Sequence, residues 1–117
     1  MNAPAEASTA HELATKRCLP CSGATPKLST EQSTALQAGL EGWRIEGDRL
    51  LKTFKHRDFL AAMKFLNRVA EVAEAEQHHP DFAVHYSRVD FTIWTHEIGG
   101  LSENDFVLAA KIDQLSA

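Results

Sequence analysis

The segment from Asp58 to Gln77 constrains the fold most, because it is the longest run with one unbroken helical period. Its apolar residues recur at steps of three and four and share one face: Phe59, Met63, Leu66, Val69, Ala70 and Ala73. The proline that follows limits the helix, since the residue before a proline is pushed into extended geometry. The sequence therefore predicts a long amphipathic helix that ends at the tripeptide His78-His79-Pro80.

Two pairs of strands are predicted, one on each side of this helix. Before it, residues 43–46 and 49–55 flank Gly47-Asp48, a pattern typical of a hairpin with a two-residue turn. After it, apolar and polar residues alternate over 82–87 and again over 89–96. Short connections of this kind indicate antiparallel pairing within each pair.

Two capping boxes mark further helices, one before the first hairpin and one near the end of the chain. In Ser29-Thr30-Glu31-Gln32 and in Ser102-Glu103-Asn104-Asp105, the first side chain can accept from the fourth amide while the fourth side chain reaches back. The element order is then helix, strand, strand, helix, strand, strand, helix. We expect an α+β fold, a four-stranded antiparallel sheet with three helices packed on one face.

The first 27 residues are rich in Ala, Ser, Thr and Pro and show no sustained apolar period. We therefore expect a flexible N-terminal extension over 1–27 and a single domain over 28–117. Cys18 and Cys21 in this extension fit half of a zinc site, a redox pair or two reduced thiols. A structural zinc site needs four ligands, and the nearest further candidate is His11 alone. We therefore interpret the two thiols as structural or inert.

The charge balance argues against nucleic acid as a partner. The net charge is -4 and the isoelectric point is about 5.8, which gives no electrostatic reason to expect binding to a phosphate backbone. No apolar run approaches the length of a membrane span, and residues 1–11 lack the basic and then apolar order of a signal peptide. We expect a cytoplasmic protein that binds neither nucleic acid nor membrane.

Three histidines are the candidate chemical groups. Strand alternation places His96 away from the core face, and the end of the long helix can bring His78 and His79 to the same rim. Glu74 lies one turn before His78, so we expect its carboxylate to orient that ring for proton exchange near neutral pH. Capping of the last helical carbonyls explains His78 and His79 equally well. Three histidines are also a ligand set for zinc.

The spacing Glu74-x3-His78-His79-Pro80-x5-Tyr86-x9-His96-x8-Asp105 resembles the signature of the pterin-4a-carbinolamine dehydratases. This family is also known as the dimerisation cofactor of a homeodomain transcription factor. The resemblance covers Leu28 to Leu115 and implies the same α-β-β-α-β-β-α order. It implies a 4a-hydroxytetrahydropterin substrate, which loses water to give the quinonoid dihydropterin, and no metal or organic cofactor.

The resemblance also implies the residues of the site. The family's catalytic histidines correspond to His78, His79 and His96, with His78 and His96 transferring protons and His79 holding the pterin. Substrate contacts are implied at His78-His79-Pro80, at Thr95-His96-Glu97-Ile98 and at Trp43. Two other residues of the signature have structural interpretations: Tyr86 as a core aromatic and Asp105 as a helix cap.

The implied partner is an aromatic amino acid hydroxylase, whose spent cofactor is the substrate, and the implied assembly is a homodimer or homotetramer.

Three alternatives compete with the dehydratase interpretation. The first is a non-catalytic module that binds a transcription factor through a helical surface. The second is a zinc protein that uses the three histidines. The third is a dehydratase for a pterin of molybdenum cofactor metabolism. The presence of all three histidines favours catalysis.

Overall fold

The computed structural model describes residues 9–19 and 26–116. Its elements are α1 (Ala10–Thr15), α2 (Thr30–Gln37), β1 (Arg44–Glu46), β2 (Arg49–Lys55), α3 (Phe59–Glu76), β3 (Asp81–His85), β4 (Arg88–Ile93), a 3-10 helix (His96–Ile98) and α4 (Glu103–Ser116). All strand pairs are antiparallel, and the sheet order is β1-β2-β4-β3. The predicted α+β fold with a four-stranded antiparallel sheet is confirmed, with one α-helix, α1, more than expected.

One face of the sheet supports the core. Its inward residues on the two central strands are buried: Leu50, Phe54, Val89, Phe91 and Ile93. They form one cluster with apolar residues of the helices, among them Leu36 of α2, Phe65 of α3 and Phe106 of α4. The alternate residues of β2 are exposed, as pleating requires: Arg49, Thr53 and Lys55. The helices therefore cover one face of the sheet and leave the other open.

Both hairpins turn through residues with positive φ. Gly47 has φ +62° in the first hairpin, a conformation that glycine adopts without strain. In the second, Tyr86 has φ +53° and is 69% exposed. The prediction that Tyr86 is a core residue is wrong, because β3 ends at His85 and Tyr86 belongs to the turn.

The N-terminal segment contains a helix that the sequence analysis did not predict. Thr9 and Glu12 form a reciprocal capping box at the start of α1, and Leu13 is fully buried in the core where α1 packs on α4. Residues 9–19 are thus packed on the domain where a flexible extension was expected. Cys21 lies outside the described residues, and the boundary at residue 28 stays a prediction.

The residues after α1 cross the ends of two other helices. The N–H of Cys18 donates to the Glu76 carboxylate of α3 at 2.7 Å, and Leu19 exchanges hydrogen bonds of 2.9 and 2.8 Å with the Asn104 side chain of α4. Burial raises the pKa of Glu76, but this hydrogen bond and nearby cations, including Lys111, outweigh burial and lower the pKa below its usual value. The segment therefore joins α3 to α4.

No helix within residues 9–19 and 26–116 is long and apolar enough to cross a membrane.

Candidate active site

The C-terminus of α3 positions the two adjacent histidines. Gln77 has φ +55°, and the N–H groups of Gln77 and His78 bond back to carbonyls of the last helical turn, which is a Schellman arrangement. Pro80 then directs the chain into β3. The His78 side chain is 5% exposed, whereas that of His79 is 55% exposed. The two neighbours therefore occupy different environments.

Asp105 holds the ring of His78. Nε2 of His78 lies 2.6 Å from Oδ1 of Asp105, whose side chain is fully buried in the first turn of α4. Oδ2 of Asp105 accepts from the Thr95 hydroxyl and from the Ser102 N–H, both at 2.9 Å. Because an ionised carboxylate only accepts, the proton of a neutral His78 ring lies on Nε2. The pair is a buried carboxylate–imidazole dyad with a defined tautomer.

Asp105 thus combines the predicted role of helix cap with a second role, which is to hold the ring of His78. Its bond from the Ser102 N–H is half of the capping box expected at the start of α4. The other half is replaced, because the Ser102 hydroxyl lies 2.8 Å from the Thr95 hydroxyl. Since the single Thr95 hydrogen goes to Asp105, the Ser102 hydroxyl donates to Thr95. This buried network fixes the carboxylate that in turn fixes His78.

Glu74 contacts His79 rather than His78. Oε2 of Glu74 lies 2.5 Å from Nε2 of His79, and both side chains are more than half exposed. The expectation that Glu74 orients His78 is therefore wrong. The left-handed conformation at Gln77 breaks the helical register, so His79, five positions after Glu74, lies over the Glu74 side chain. An exposed pair of this kind is screened by water and contributes about 0–1 kcal/mol to stability.

His96 begins the 3-10 helix and is held by its ring face. The strand predicted over 89–96 ends earlier than expected, because β4 ends at Ile93. Thr95 is the N-cap residue of the 3-10 helix. The imidazole stacks on the indole of Trp94, with ring centroids 4.0 Å apart and planes inclined by 33°. Within the described residues no hydrogen bond engages the His96 ring nitrogens.

These side chains surround one cleft of about 220 Å³, lined by Gln77, His78, His79, Asp81, Trp94, His96 and Glu97. The structure thus brings the three histidines together, and Glu97 joins them. The other predicted contacts, Pro80, Thr95 and Ile98, are not among the described lining residues. Thr95 is fully buried and its hydroxyl is used by Asp105.

Trp43 lies in the core and is not brought to the cleft. Its indole is 3% exposed and packs against the rings of Phe54 and Phe91. Its Nε1–H donates to the Asp113 carboxylate at 3.0 Å. Core packing and one hydrogen bond account for this tryptophan.

Sequence reasoning missed Asp81 and Trp94 as lining residues and Asp105 as the partner of His78. A signal existed for Trp94, which stands two residues before His96 and therefore shares its side of an extended chain. No local signal pointed to the bond between His78 and Asp105, because the two residues are 27 positions apart.

The described residues do not form a metal cluster. Across 9–19 and 26–116, no group of three or more His, Cys, Asp or Glu side chains is arranged to hold a metal ion. His78 and His79 each bond to a different carboxylate, and His96 stacks on an indole.

Fold and cleft together define a small α+β protein in which three histidines line one cleft. Residues 26–115 match the family profile of Pterin 4 alpha carbinolamine dehydratase. The chain belongs to this family, and the resemblance seen in the sequence is confirmed.

Named relatives and a solved structure agree with this membership. A protein of Nitrosospira multiformis is 47% identical over 108 residues, which are 92% of this chain and 96% of the relative. One of Rubrobacter xylanophilus is 45% identical over 105 residues, 89% of this chain and 98% of the relative. Both are named "putative pterin-4-alpha-carbinolamine dehydratase". The crystal structure of a transcriptional coactivator/pterin dehydratase from Brucella melitensis superposes with a TM-score of 0.76 at 31% identity, covering 79% of this chain and 100% of that one.

Proposed function

We propose that this protein dehydrates 4a-hydroxytetrahydrobiopterin to quinonoid dihydrobiopterin by histidine acid–base catalysis. The observation that carries the proposal is the convergence of His78, His79 and His96 on one cleft, in a chain that belongs to the pterin dehydratase family. The cleft is small, and its lining is rich in groups that exchange protons or accept hydrogen bonds.

The reaction needs one acid and one base and no oxidant. The bond between C4a and the hydroxyl oxygen breaks, and the hydroxyl takes a proton from the acid and leaves as water. The proton on the neighbouring ring nitrogen N5 passes to the base, and the electron pair left behind forms the double bond between N5 and C4a. Imidazoles serve both roles near neutral pH.

His78 suits the base. The buried Asp105 carboxylate stabilises the imidazolium that forms when His78 accepts a proton, and it fixes the orientation of the ring. His96 suits the acid, because it is exposed at the cleft and its ring nitrogens make no hydrogen bond within the described residues. Exchange of protons with solvent then restores both histidines for the next turnover.

The remaining lining groups suit substrate binding. His79, held by Glu74, stands at the edge of the cleft, where it can hold the pterin. Asp81 and Glu97 place two carboxylates in the lining. A pterin presents an amino group and ring N–H donors along one edge, and carboxylates are strong acceptors for such donors. We assign substrate orientation to these residues.

The substrate arises when an aromatic amino acid hydroxylase has used its tetrahydropterin cofactor. We therefore propose that the protein supports tetrahydrobiopterin recycling next to such a hydroxylase. The cytoplasmic location and the homo-oligomeric state stay predictions.

A stopped-flow assay tests the proposal. The carbinolamine is generated with an aromatic amino acid hydroxylase, and its decay is followed by ultraviolet absorbance with and without this protein. We expect a decay rate that rises in proportion to protein concentration above the spontaneous rate. The matched control is the triple variant His78→Ala, His79→Ala and His96→Ala, checked for fold by circular dichroism. Decay that is no faster with the parent protein than in buffer would overturn the proposal.

A further inference from the structure

The three histidines of the cleft are held in different ways. His78 and His79 each share a ring nitrogen with a carboxylate, at 2.6 and 2.5 Å. His96 has no such bond within the described residues, and its ring stacks on the indole of Trp94. An exposed imidazole in a short 3-10 helix would otherwise be free to change rotamer.

The backbone between Trp94 and His96 is anchored, which brings the two rings together. Thr95, the residue between them, is fully buried, and its hydroxyl donates to Asp105. The Thr95 N–H donates to the Gly100 carbonyl at 2.9 Å. With Thr95 pointing inward, the side chains on either side of it point outward and stack.

The indole itself is fixed by two neighbouring groups. The guanidinium carbon of Arg49 lies 4.0 Å from the centroid of the Trp94 ring, a cation–π distance. Pairing of Leu50 with Ile93 brings β2 alongside β4 at this point. Nε1 of Trp94 also lies 3.4 Å from the Asp81 carboxylate. The stack therefore joins β2, the end of β4 and the 3-10 helix.

We propose that Trp94 is a positioning residue for His96, because it holds the imidazole by its face and leaves both ring nitrogens available to the substrate. A hydrogen-bonded partner would occupy one of those nitrogens, whereas a stacked indole occupies neither. The inference deepens the proposed function and, in its kinetic part, rests on it. The role concerns an indole that stacks on a histidine, and the spacing of the histidines and carboxylates in the sequence does not predict it.

A kinetic cycle tests this role in the full-length protein. We expect Trp94→Ala to lower kcat roughly 10- to 100-fold with little change in KM, as loss of orientation does, and Trp94→Phe to restore most of the rate. In a His96→Ala background, Trp94→Ala should cause no further loss. A rise in KM at unchanged kcat, or an equal loss in the His96→Ala background, would overturn the inference.

A spectroscopic measurement tests the stack without any activity. In NMR spectra the ring protons of His96, assigned through His96→Gln, should be shifted upfield by the ring current of Trp94. Trp94→Ala should return these signals toward random-coil positions, while Trp43→Phe, which alters the core tryptophan, should leave them in place. His96 signals that do not move in Trp94→Ala would overturn the inference, whether or not the parent protein proves to be a dehydratase.

Discussion

The Nε2–H of His78 donates to Oδ1 of Asp105 across 2.6 Å and joins the end of α3 to the first turn of α4. Both side chains are buried, at 5% and 0% exposure. Loss of either side chain therefore removes a buried hydrogen bond from the other, which costs about 1–3 kcal/mol. The dyad couples the stability of the fold to the chemistry of the cleft.

Replacing Asp105 by Asn should impair both stability and turnover. The amide keeps the shape but not the charge, so the imidazolium of His78 loses its stabilisation. We expect kcat to fall roughly 100-fold or more and the free energy of unfolding to fall by roughly 2–4 kcal/mol. Stopped-flow kinetics and urea denaturation measure the two effects. Asp113→Asn is the control, because that α4 carboxylate binds Trp43 and Lys52 instead. Parental kcat in Asp105→Asn would contradict this account of the dyad.

Replacing Glu74 by Gln should have a much smaller effect. The Glu74–His79 pair is exposed, so we expect the free energy of unfolding to change by less than about 0.5 kcal/mol. Because His79 is assigned to substrate binding, the kinetic change should appear mainly in KM. The same two assays report both quantities. A loss of kcat equal to that of Asp105→Asn would show that Glu74 acts on the proton-transfer step after all.

Replacing Gln77 by Gly should stabilise the protein. A left-handed conformation at φ +55° strains a residue that has a Cβ, and glycine removes the strain. We expect a gain of about 0.5–1 kcal/mol in the free energy of unfolding, measured by urea denaturation. Ala75→Gly, on an exposed helical position of α3, should instead cost about 1 kcal/mol. Destabilisation by Gln77→Gly would contradict the expectation that backbone strain outweighs the bond from Gln77 Nε2 to the Glu74 carbonyl.

The lowered pKa of Glu76 predicts a pH-dependent contribution to stability. Because the folded pKa lies below the ordinary value of 4.5, the ionised carboxylate stabilises the fold above that pH, and this contribution is lost as pH falls through the folded pKa. Glu76→Gln should therefore cost roughly 1–2 kcal/mol at about pH 7 and progressively less in acid.

Urea denaturation of both proteins at several pH values measures this difference. Glu71→Gln is the matched control, since Glu71 is exposed on the same helix and its loss should matter little at any pH. A cost of Glu76→Gln that is the same at about pH 3 and pH 7 would contradict the assigned pKa shift.

The fold was predictable because its signals are local. The period of α3, the Gly47-Asp48 turn and the Ser29 capping box each lie within a few residues of the structure they specify, and all three are present in the structure. Helix α1 escaped prediction because six residues are too few to show a period. Its stability comes from burial of Leu13, which only the tertiary structure reveals.

The site was predictable only in part, because its decisive contacts are not local. Strand and helix patterns sufficed to bring His78, His79 and His96 to one rim, and the structure has them around one cleft. The partner of His78 lies 27 positions away, and although Asp105 belongs to the family signature, no local pattern pairs the two residues. Helical register predicted His78 as the partner of Glu74, whereas the structure has His79, because the prediction assumed an unbroken helix through Gln77.

The measurement that tests the central claim most directly is the dehydration rate of 4a-hydroxytetrahydrobiopterin in single histidine variants. We predict that His78→Ala and His96→Ala each lose turnover by at least about 100-fold with the fold retained, while His85→Ala, an exposed residue of β3 that does not line the cleft, keeps the parental rate. Parental turnover in both His78→Ala and His96→Ala would contradict histidine acid–base catalysis in this cleft.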